Sequence, residues 1–505
     1  MKFNILTKNK NQIVNHQGAP AYTITSELEL YSAVVTSSLS DQFYEKADQK
    51  IDRIRTLIQK VDPVFVAQLA VYAREQMHLR SIPLVLAVEL ARIHSGDQLV
   101  SKMVSRIIQR ADEITELLAY YQAANRRDGI KKLGKLSKQL QRGIVLAFNK
   151  FDEYQFAKYN REAEVKLRDA LFLVHPKAKD ETQQLLFDKI VNDGLTVPYT
   201  WEVELSALGQ QSFENEAARQ AAVKAKWEEL IDSGKLGYMA LLRNLRNILQ
   251  ATVSEQHINR VADRLANERE VKNSKQLPFR FLAAYRELKE VNTVYTSLIL
   301  NALEDAVKVS AANIKGFDIN TKVLLACDVS GSMQTFISPR SRIQNYDIGL
   351  ILAMLLQSRS KSVISGFFGD RWKVVNLASN HILANTTELR KREGEVGYAT
   401  NGHLVIQDLI DKGQIVDKVM FFTDCQLWNS KGDGNSIAKL WRNYKQIAPN
   451  AKIYLFDLAG YGQMPLRTES NDVFMIAGWS DKVFDILEAI ENGSNAVAEI
   501  EKIIL

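Results

Sequence analysis

The feature that most constrains the fold is a change of hydrophobic period near residue 312. From residue 320 onward, short apolar segments alternate with segments whose apolar residues recur every three or four positions. This alternation predicts a mostly parallel sheet with helices on both faces, which is a doubly wound α/β domain. The predicted strands are, in chain order, VLLACDV, KSVISGFFG, WKVVNLA, KVMFFTD, KIYLFDL and DVFMIAG.

Residues 27–310 contain only the helical period, and no strand pattern interrupts it. Consecutive helices with short links favour an α-solenoid, because each helix pair buries its apolar face on the next pair. The glycines follow the same division, with nine in residues 1–310 and fifteen in residues 311–505. We therefore predict a mostly α region at 20–312 and an α/β region at 313–505.

Charge, cysteine content and hydropathy narrow the function classes. The formal net charge is +6, and the 21 basic and 21 acidic residues after residue 312 cancel, so the excess lies in the helical region. Two cysteines, Cys327 and Cys425, cannot form a disulfide framework, which is typical of a reducing, cytoplasmic location. No apolar stretch reaches the roughly 18 residues of a membrane span, so we expect no membrane association.

Oxygen-bearing side chains follow three segments of the α/β region. Asp328, Ser330 and Ser332 lie at the end of the first strand, Thr400 lies in a later loop, and Asp424 ends another strand. Ligands of parallel sheets bind beyond the carboxyl ends of the strands, where these side chains are expected to converge. Hydroxyl and carboxylate oxygens without histidine or thiolate are the ligands of a hard divalent cation such as Mg²⁺.

The pattern DxSxS, followed by Thr and then by TD, resembles the metal-ion-dependent adhesion site of von Willebrand factor A domains. The resemblance implies that Ser330, Ser332 and Thr400 are hydroxyl ligands, and that Asp328 and Asp424 bind directly or through water. Two other interpretations stay open. The loops could bond to each other without metal, or the strand end could begin a phosphatase, although Ser330 replaces its second acid and no catalytic lysine is placed.

A basic segment at residues 126–150 contains eight Lys/Arg and one acid. On a helix, Leu140, Ile144 and Ala147 share one face, and the opposite face carries cations. Because no acidic residues alternate with these cations, the pattern favours a surface that binds a polyanion over one that only faces solvent. The predicted phosphate-binding residues here are Lys131, Lys135, Lys138 and Arg142.

A helical basic region followed by an A-type domain resembles the TROVE module of the Ro RNA-binding proteins. YMALLRNLRNI (238–248) is similar to that family's ALLRNL helix, LPFRFLAAYREL (277–288) to its Pro-Phe helix, and DVSGSM lies where the family has it. The resemblance implies a ring of HEAT-like repeats followed by a Rossmann-like A domain. It also implies Y-type RNA on an outer basic surface and single-stranded ends of misfolded RNA in a central hole.

Residues 158–177 are similar to the stretch that contacts Y RNA in that family, but they depart from it. Where the family has Gly-Trp-Ser-His, this chain has Glu-Val-Lys-Leu at 164–167. The resemblance therefore implies binding to the RNA backbone more than recognition of one RNA. The residues expected to bind are Lys158, Arg161, Lys166, Arg168 and His175.

These observations favour a noncoding-RNA-binding scaffold without catalysis, acting in RNA quality control as a monomer. An exoribonuclease or another protein is an expected partner at the metal site. The second hypothesis is an adaptor whose A-domain metal accepts a partner carboxylate, in which case the basic helices are incidental. A metal-dependent nuclease is disfavoured, since only two carboxylates approach the metal and no general base is evident.

Overall fold

A computed structural model of the chain describes residues 12–37, 39–125, 136–160, 162–312, 314, 320–430, 432, 435–468 and 470–505. Within these ranges it is mostly helical, with one large mixed sheet and one small antiparallel sheet. No helix among the described residues has the length and apolar character needed to cross a membrane.

The helices before the large sheet are α1 (Ser26–Val35), α2 (Ala47–Ile58), α3 (Pro63–Glu75), α4 (Ser81–Ile93), α5 (Leu99–Ile107), α6 (Asp112–Ala124), α7 (Lys138–Phe148), α8 (Glu153–Tyr159), α9 (Leu167–Val174), α10 (Glu181–Val191), α11 (Trp201–Gly209), α12 (Glu216–Asp232), α13 (Tyr238–Gln250), α14 (Glu255–Ala266), α15 (Glu268–Ser274), α16 (Pro278–Lys289) and α17 (Thr296–Ala311). The later ones are α18 (Asn345–Gln357), α19 (Ile382–Lys391), α20 (His403–Asp411), α21 (Ile437–Ile447), α22 (Val483–Glu491) and α23 (Ala496–Glu501). The strands are β1 (Gln12–Val14), β2 (Pro20–Thr23), β3 (Lys322–Asp328), β4 (Ser362–Phe368), β5 (Trp372–Val375), β6 (Lys418–Thr423), β7 (Lys452–Asp457), β8 (Gln463–Met464) and β9 (Val473–Ala477).

The large sheet has the strand order β5-β4-β3-β6-β7-β9, and only β5 runs antiparallel to its neighbour. Helices lie between β3 and β4, between β4 and β6 and between β6 and β7, so the predicted doubly wound α/β domain is confirmed. The central strand β3 is buried on both faces, which explains its unbroken apolar sequence. In the register, Asp328 pairs with Phe368 and Thr423 with Asp457, so several strands end together at one edge.

The small sheet, which the sequence did not reveal, joins the beginning of the described chain to its last quarter. β1 pairs with β2, and β2 pairs with β8, both antiparallel. Nearby, the Tyr31 hydroxyl on α1 donates to the carbonyl of Ala477 at 2.9 Å. The N-terminal segment therefore packs with the α/β domain.

The described chain divides into two compact units, and each is discontinuous in sequence. The first contains residues up to Ile54 together with Ala262–Glu499, and the second contains Arg55–Val261 with Ile500–Leu505. Composition placed a single boundary at residue 312. Compact packing and sequence domains are different divisions of a chain, so the bounds 20–312 and 313–505 stay a prediction.

In the first unit, two of the late solenoid helices dock on helices of the α/β domain. The Glu304 carboxylate on α17 accepts hydrogen bonds from the backbone of Ile382, Leu383 and Ala384, which are otherwise unsatisfied donors at the start of α19. Arg286 on α16 donates to the fully buried Asp347 at 2.7 Å. These contacts attach the helical sequence to the sheet.

The described part of the second unit is helical, and its core contains a buried ion pair. Arg74 on α3 donates to both carboxylate oxygens of Glu113 on α6, at 2.8 and 3.2 Å. Glu113 also accepts from the backbone of Gln109 and Arg110. Close packing occurs elsewhere in this unit, where a Cβ at Gly143 of α7 would lie 2.5 Å from the Cβ of Val104 on α5. Glycine therefore lets α7 and α5 approach each other.

Candidate functional site

Five predicted ligand side chains lie at the carboxyl end of the large sheet. Asp328 ends β3, Ser330 and Ser332 follow it, and Asp424 follows β6, the neighbouring strand. Thr400 precedes α20. All five are at most 3% exposed. A group of buried polar side chains requires partners, because an unsatisfied buried polar atom is costly.

Backbone contacts bring the three segments together. The N–H of Gly331 donates to the carbonyl of Tyr398, which ties the DxSxS turn to the loop before Thr400. The N–H of Trp428 donates to the carbonyl of Thr400, which ties that loop to the segment after Asp424. The two serine hydroxyls lie 3.3 Å apart. The predicted convergence of these side chains is therefore present in the structure.

Asp328 is held in place by two hydrogen bonds. Its Oδ1 accepts from the N–H of Ser330 at 2.9 Å, and its Oδ2 accepts from the Thr423 hydroxyl at 2.7 Å. Both carboxylate oxygens are thus occupied, so Asp328 fits a positioning or water-mediated role better than direct ligation. The role of Thr423 was not predicted, because a threonine before a strand-end aspartate carries no signal of its own.

Two atoms of the cluster lack protein partners among the described residues. Thr400 Oγ1 and Asp424 Oδ2 are buried, and each has no hydrogen-bond partner there. Burial raises the pKa of Asp424, and the neighbouring Asp328 carboxylate raises it further. Burial likewise raises the pKa of Asp328. Buried acceptors with no donor, beside two carboxylates without a counter-charge, fit a cation that completes the cluster.

The chemistry of the cluster indicates which cation it suits. The described residues contain no group of three or more His, Cys, Asp or Glu that could hold a metal. The cluster instead combines two carboxylates with three hydroxyls, which suits a hard cation such as Mg²⁺ or Mn²⁺ and not a metal that prefers thiolate or imidazole ligands. Both thiols nearby, Cys327 and Cys425, are buried, and burial raises the pKa of each, which disfavours the thiolate that a metal would need.

The second candidate site is the basic surface of α7, α8 and α9. Leu140, Ile144 and Ala147 on α7 are buried, as the predicted apolar face requires. Lys138 and Arg142 on the same helix are exposed. Two other members of the predicted cationic face, Lys131 and Lys135, lie outside the described residues.

The downstream cations differ in their surroundings. Lys158 is exposed on α8, with its ammonium 5.6 Å from the centre of the Tyr154 ring. Lys166 pairs with Glu162 at 2.8 Å, and Arg168 pairs with Asp193 at 3.3 Å. Two further predicted residues are His175, which is exposed where α9 ends, and Arg161, which lies outside the described residues.

An aromatic cluster supports these basic helices. Phe148 at the end of α7 stacks on Phe156 of α8 at 5.8 Å between ring centres, and contacts Phe187 of α10 edge-on at 6.1 Å. Gln141 on α7 also donates to the carbonyl of Leu173 on α9. The exposed cations of α7 and α8 are therefore carried by one packed group of helices that includes α9.

A comparison with known families decides what these helices are. The sequence model of the TROVE domain matches residues 30–196 and 194–308, which is more than half of the chain. The chain belongs to the TROVE domain family. TROVE proteins are RNA-binding proteins, and the basic helices α7–α9 lie inside the matched region.

Relatives of this TROVE chain agree with the assignment. The mouse "Telomerase protein component 1" is 26% identical over 297 residues, and the rat protein of that name is 26% identical over 325 residues. These matches cover 46% and 51% of this chain, but only 11% and 12% of the relatives' own length. The Deinococcus radiodurans Ro (RSR) crystal structure superposes with a TM-score of 0.61 at 17% identity, covering 93% of this chain and all of that one. The fold, TROVE helical repeats with an A-like domain, is thereby shown.

Proposed function

We propose that this TROVE protein binds small structured noncoding RNAs, such as Y-type RNA, and the single-stranded ends of misfolded RNAs. The observation that carries the proposal is the set of exposed cations on α7 and α8, namely Lys138, Arg142 and Lys158, within the region that matches the TROVE domain. Lysine and arginine side chains neutralise phosphates and release counterions, which supplies affinity without a sequence code.

Aromatic side chains next to these cations fit single-stranded RNA. Tyr154 is 44% exposed beside Lys158, and Arg110 lies 4.1 Å from the centre of the Tyr159 ring. An exposed ring can stack on an unpaired base while the neighbouring ammonium contacts its phosphate. This pairing of side chains supports binding of unpaired RNA at α8.

A divalent cation, Mg²⁺, is the proposed cofactor of the A-like domain. Ser330, Ser332, Thr400 and Asp424 would hold it, with Asp328 orienting the DxSxS turn and contributing through water. When bound, the cation would supply a positive charge that accepts an external oxygen ligand. The Thr400 and Asp424 oxygens that lack protein partners support this proposal.

We further propose that the protein acts as a scaffold in RNA quality control and not as an enzyme. Only two carboxylates belong to the strand-end cluster, and one of them already accepts two hydrogen bonds. We place the protein in the cytoplasm, a location supported by two buried free thiols.

Protein binding by the A-like domain is the second candidate function. Exposed aromatic side chains flank the strand-end cluster in sequence, namely Phe336, Tyr398 and Trp428, with 42–50% exposure. Aromatic residues with exposed rings are typical of protein interfaces. A partner such as an exoribonuclease could dock there while RNA is held by the basic helices, so the two functions are compatible.

The RNA proposal is tested by reversing charge on α7. In the double variant Lys138→Glu/Arg142→Glu, we expect weaker binding of a stem RNA with an unpaired 3′ tail. Each lost phosphate contact should reduce the log–log salt slope by roughly 0.7 to 0.9. Affinity is measured by fluorescence anisotropy at a series of salt concentrations. A blunt version of the same stem, which we expect to bind more weakly, tests the preference for unpaired ends.

The matched control is Lys60→Glu/Lys235→Glu, which makes the same charge change at exposed positions of the same compact unit. This control should lower affinity only through long-range repulsion and leave the salt slope close to that of the unmodified protein. Equal slopes for all three proteins would contradict the assignment of α7 to the RNA surface.

A further inference from the structure

The N-terminal segment packs against the residues that follow Asp424, in the same compact unit. Two hydrogen bonds attach it to the residues that follow Asp424. The Asn15 side chain donates to the carbonyl of Leu427, and the backbone N–H of His16 donates to the side-chain oxygen of Gln426, both at 3.0 Å. Asn15 is only 5% exposed, and its own oxygen accepts from two backbone N–H groups of the same turn. The turn is therefore held in place by specific hydrogen bonds.

This turn holds Tyr44 against the cluster. The imidazole of His16 stacks on the Tyr44 ring, with 5.0 Å between ring centres and 6° between planes. Tyr461 packs edge-on against both rings, with its centre 5.4 Å from that of Tyr44 and 5.5 Å from that of His16. The Gln17 side chain contacts the Tyr44 hydroxyl. Three groups from two parts of the chain thus fix one phenol, which is half-buried.

The Tyr44 hydroxyl faces the predicted ligands. Ser332, Asp424 and Asp328 all lie close enough to influence its pKa. The pKa of Tyr44 is raised, first by burial and then by the Asp424 carboxylate, with a smaller contribution from Asp328. The Tyr44 hydroxyl is therefore a neutral oxygen next to the predicted hydroxyl and carboxylate ligands. It lies on the side of the cluster where the N-terminal segment packs.

We propose that Tyr44 is a specificity-determining residue of the metal site, whose hydroxyl occupies the position that an external carboxylate ligand would take. This inference rests on the proposed Mg²⁺ site. Its consequence is that an outside carboxylate must displace Tyr44, and with it the turn at residues 15–17, before it reaches the cation. The apparent affinity for such a ligand is the intrinsic affinity multiplied by the fraction of molecules in which Tyr44 and the turn are displaced. The A-like domain therefore selects for partners that also bind its aromatic surroundings, because a carboxylate alone competes poorly.

The test loads the full chain with Mn²⁺ and then titrates acetate, the simplest carboxylate. Water-proton relaxation reports both Mn²⁺ binding and the loss of Mn²⁺-bound water as acetate enters. Tyr44→Phe removes the hydroxyl but keeps the ring in contact with His16 and Tyr461. We expect acetate to bind Tyr44→Phe at least about fivefold more tightly than the unmodified protein, because the competing oxygen is gone. We also expect more Mn²⁺-bound water in the variant before acetate is added.

A second variant and a control keep the result interpretable. Gln17→Ala loosens the turn without altering Tyr44 and should shift acetate affinity in the same direction, by less. Tyr199→Phe removes a phenol that donates to Glu229 in the other compact unit, so it should behave like the unmodified protein. If all proteins bind Mn²⁺ but acetate affinity is the same in each, Tyr44 has no such role and the metal site stands. If none binds Mn²⁺, the metal site itself is wrong, and the inference falls with it.

Discussion

Two clusters of buried polar side chains, one in each compact unit, satisfy their hydrogen-bonding groups in opposite ways. In the helical unit, Glu113 accepts from Arg74 and from two backbone N–H groups. At the end of the large sheet, Thr400 and Asp424 each keep a buried oxygen without a partner among the described residues. Both clusters are inaccessible to bulk water. They therefore differ in saturation, that is, in whether each buried oxygen has a hydrogen-bond partner, and not in burial.

This difference separates a structural cluster from a functional one. A saturated buried ion pair stabilises its own unit only as long as both charges remain. An unsaturated cluster has acceptors available for a ligand, at a cost in stability when no ligand is present. The helical unit shows the first arrangement and the A-like domain the second, which is why only the second is proposed as a metal site.

The largest expected effect comes from breaking the saturated cluster. Glu113→Ala leaves the buried Arg74 guanidinium without its carboxylate, and should lower the free energy of unfolding by about 3–5 kcal/mol. Urea denaturation followed by far-UV circular dichroism measures this loss. Glu116→Ala is the matched control, since Glu116 lies on the same helix but is 46% exposed and lies 3.7 Å from Arg80. A similar loss in both variants would show that helix α6, and not the buried pair, is the sensitive feature.

The unsaturated cluster at the end of the large sheet should add to the stability of the protein only when a metal is bound. Without metal, Asp424→Asn should change the free energy of unfolding by less than about 1 kcal/mol, because the amide removes a buried charge and keeps an oxygen for the Gln426 N–H. With Mn²⁺ at a hundred times its dissociation constant, the unmodified protein should gain about 2.7 kcal/mol that the variant lacks. Isothermal titration calorimetry should show Mn²⁺ affinity lowered about a hundredfold or more. Asp411→Asn, at an exposed position of α20, is the control. A large loss of stability without metal would make Asp424 a structural residue.

The smallest effect is expected for RNA binding by the basic surface, where some cations are paired with a carboxylate and others are exposed. Lys166 is paired with Glu162, so its replacement by alanine should reduce the RNA salt slope by less than the roughly 0.7 to 0.9 expected for an exposed phosphate contact such as Lys138. Glu162→Gln, which releases Lys166, should strengthen RNA binding slightly. Salt-dependent anisotropy titrations compare the three variants. Equal slopes for Lys138→Ala and Lys166→Ala would show that pairing with Glu162 does not limit the contact of Lys166 with RNA.

Much of the A-like domain could be predicted from the sequence, because strand ends in a parallel sheet are fixed by topology. The apolar strands β3 and β6 end where DxSxS and TD begin, so the pattern alone placed Asp328 beside Asp424. The apolar face of α7 was predicted from the helical period in the same way. These features depend on residues close together in sequence or on general rules of sheet connection.

The rest depended on contacts between distant parts of the chain. Nothing in the sequence around Tyr44 indicates that it packs against Tyr461, more than 400 residues later. The small sheet has strands of two to four residues, too short for a period to be recognised. The pairing of Lys166 with Glu162 was also missed, although the spacing of four is visible, because the loop before α9 gives no helical period.

The pairing of the N-terminal segment with the last strands has a consequence for how the protein is made. Helix α1 buries Leu30, Tyr31 and Val34, and the hydroxyl of Tyr31 bonds to a residue 446 positions later. A ribosome synthesises α1 first, so its apolar face has no native site until β9 has been translated. Such long-range closure slows folding and leaves apolar surface open during synthesis. We therefore expect nascent chains that stop before β9 to recruit chaperones through α1.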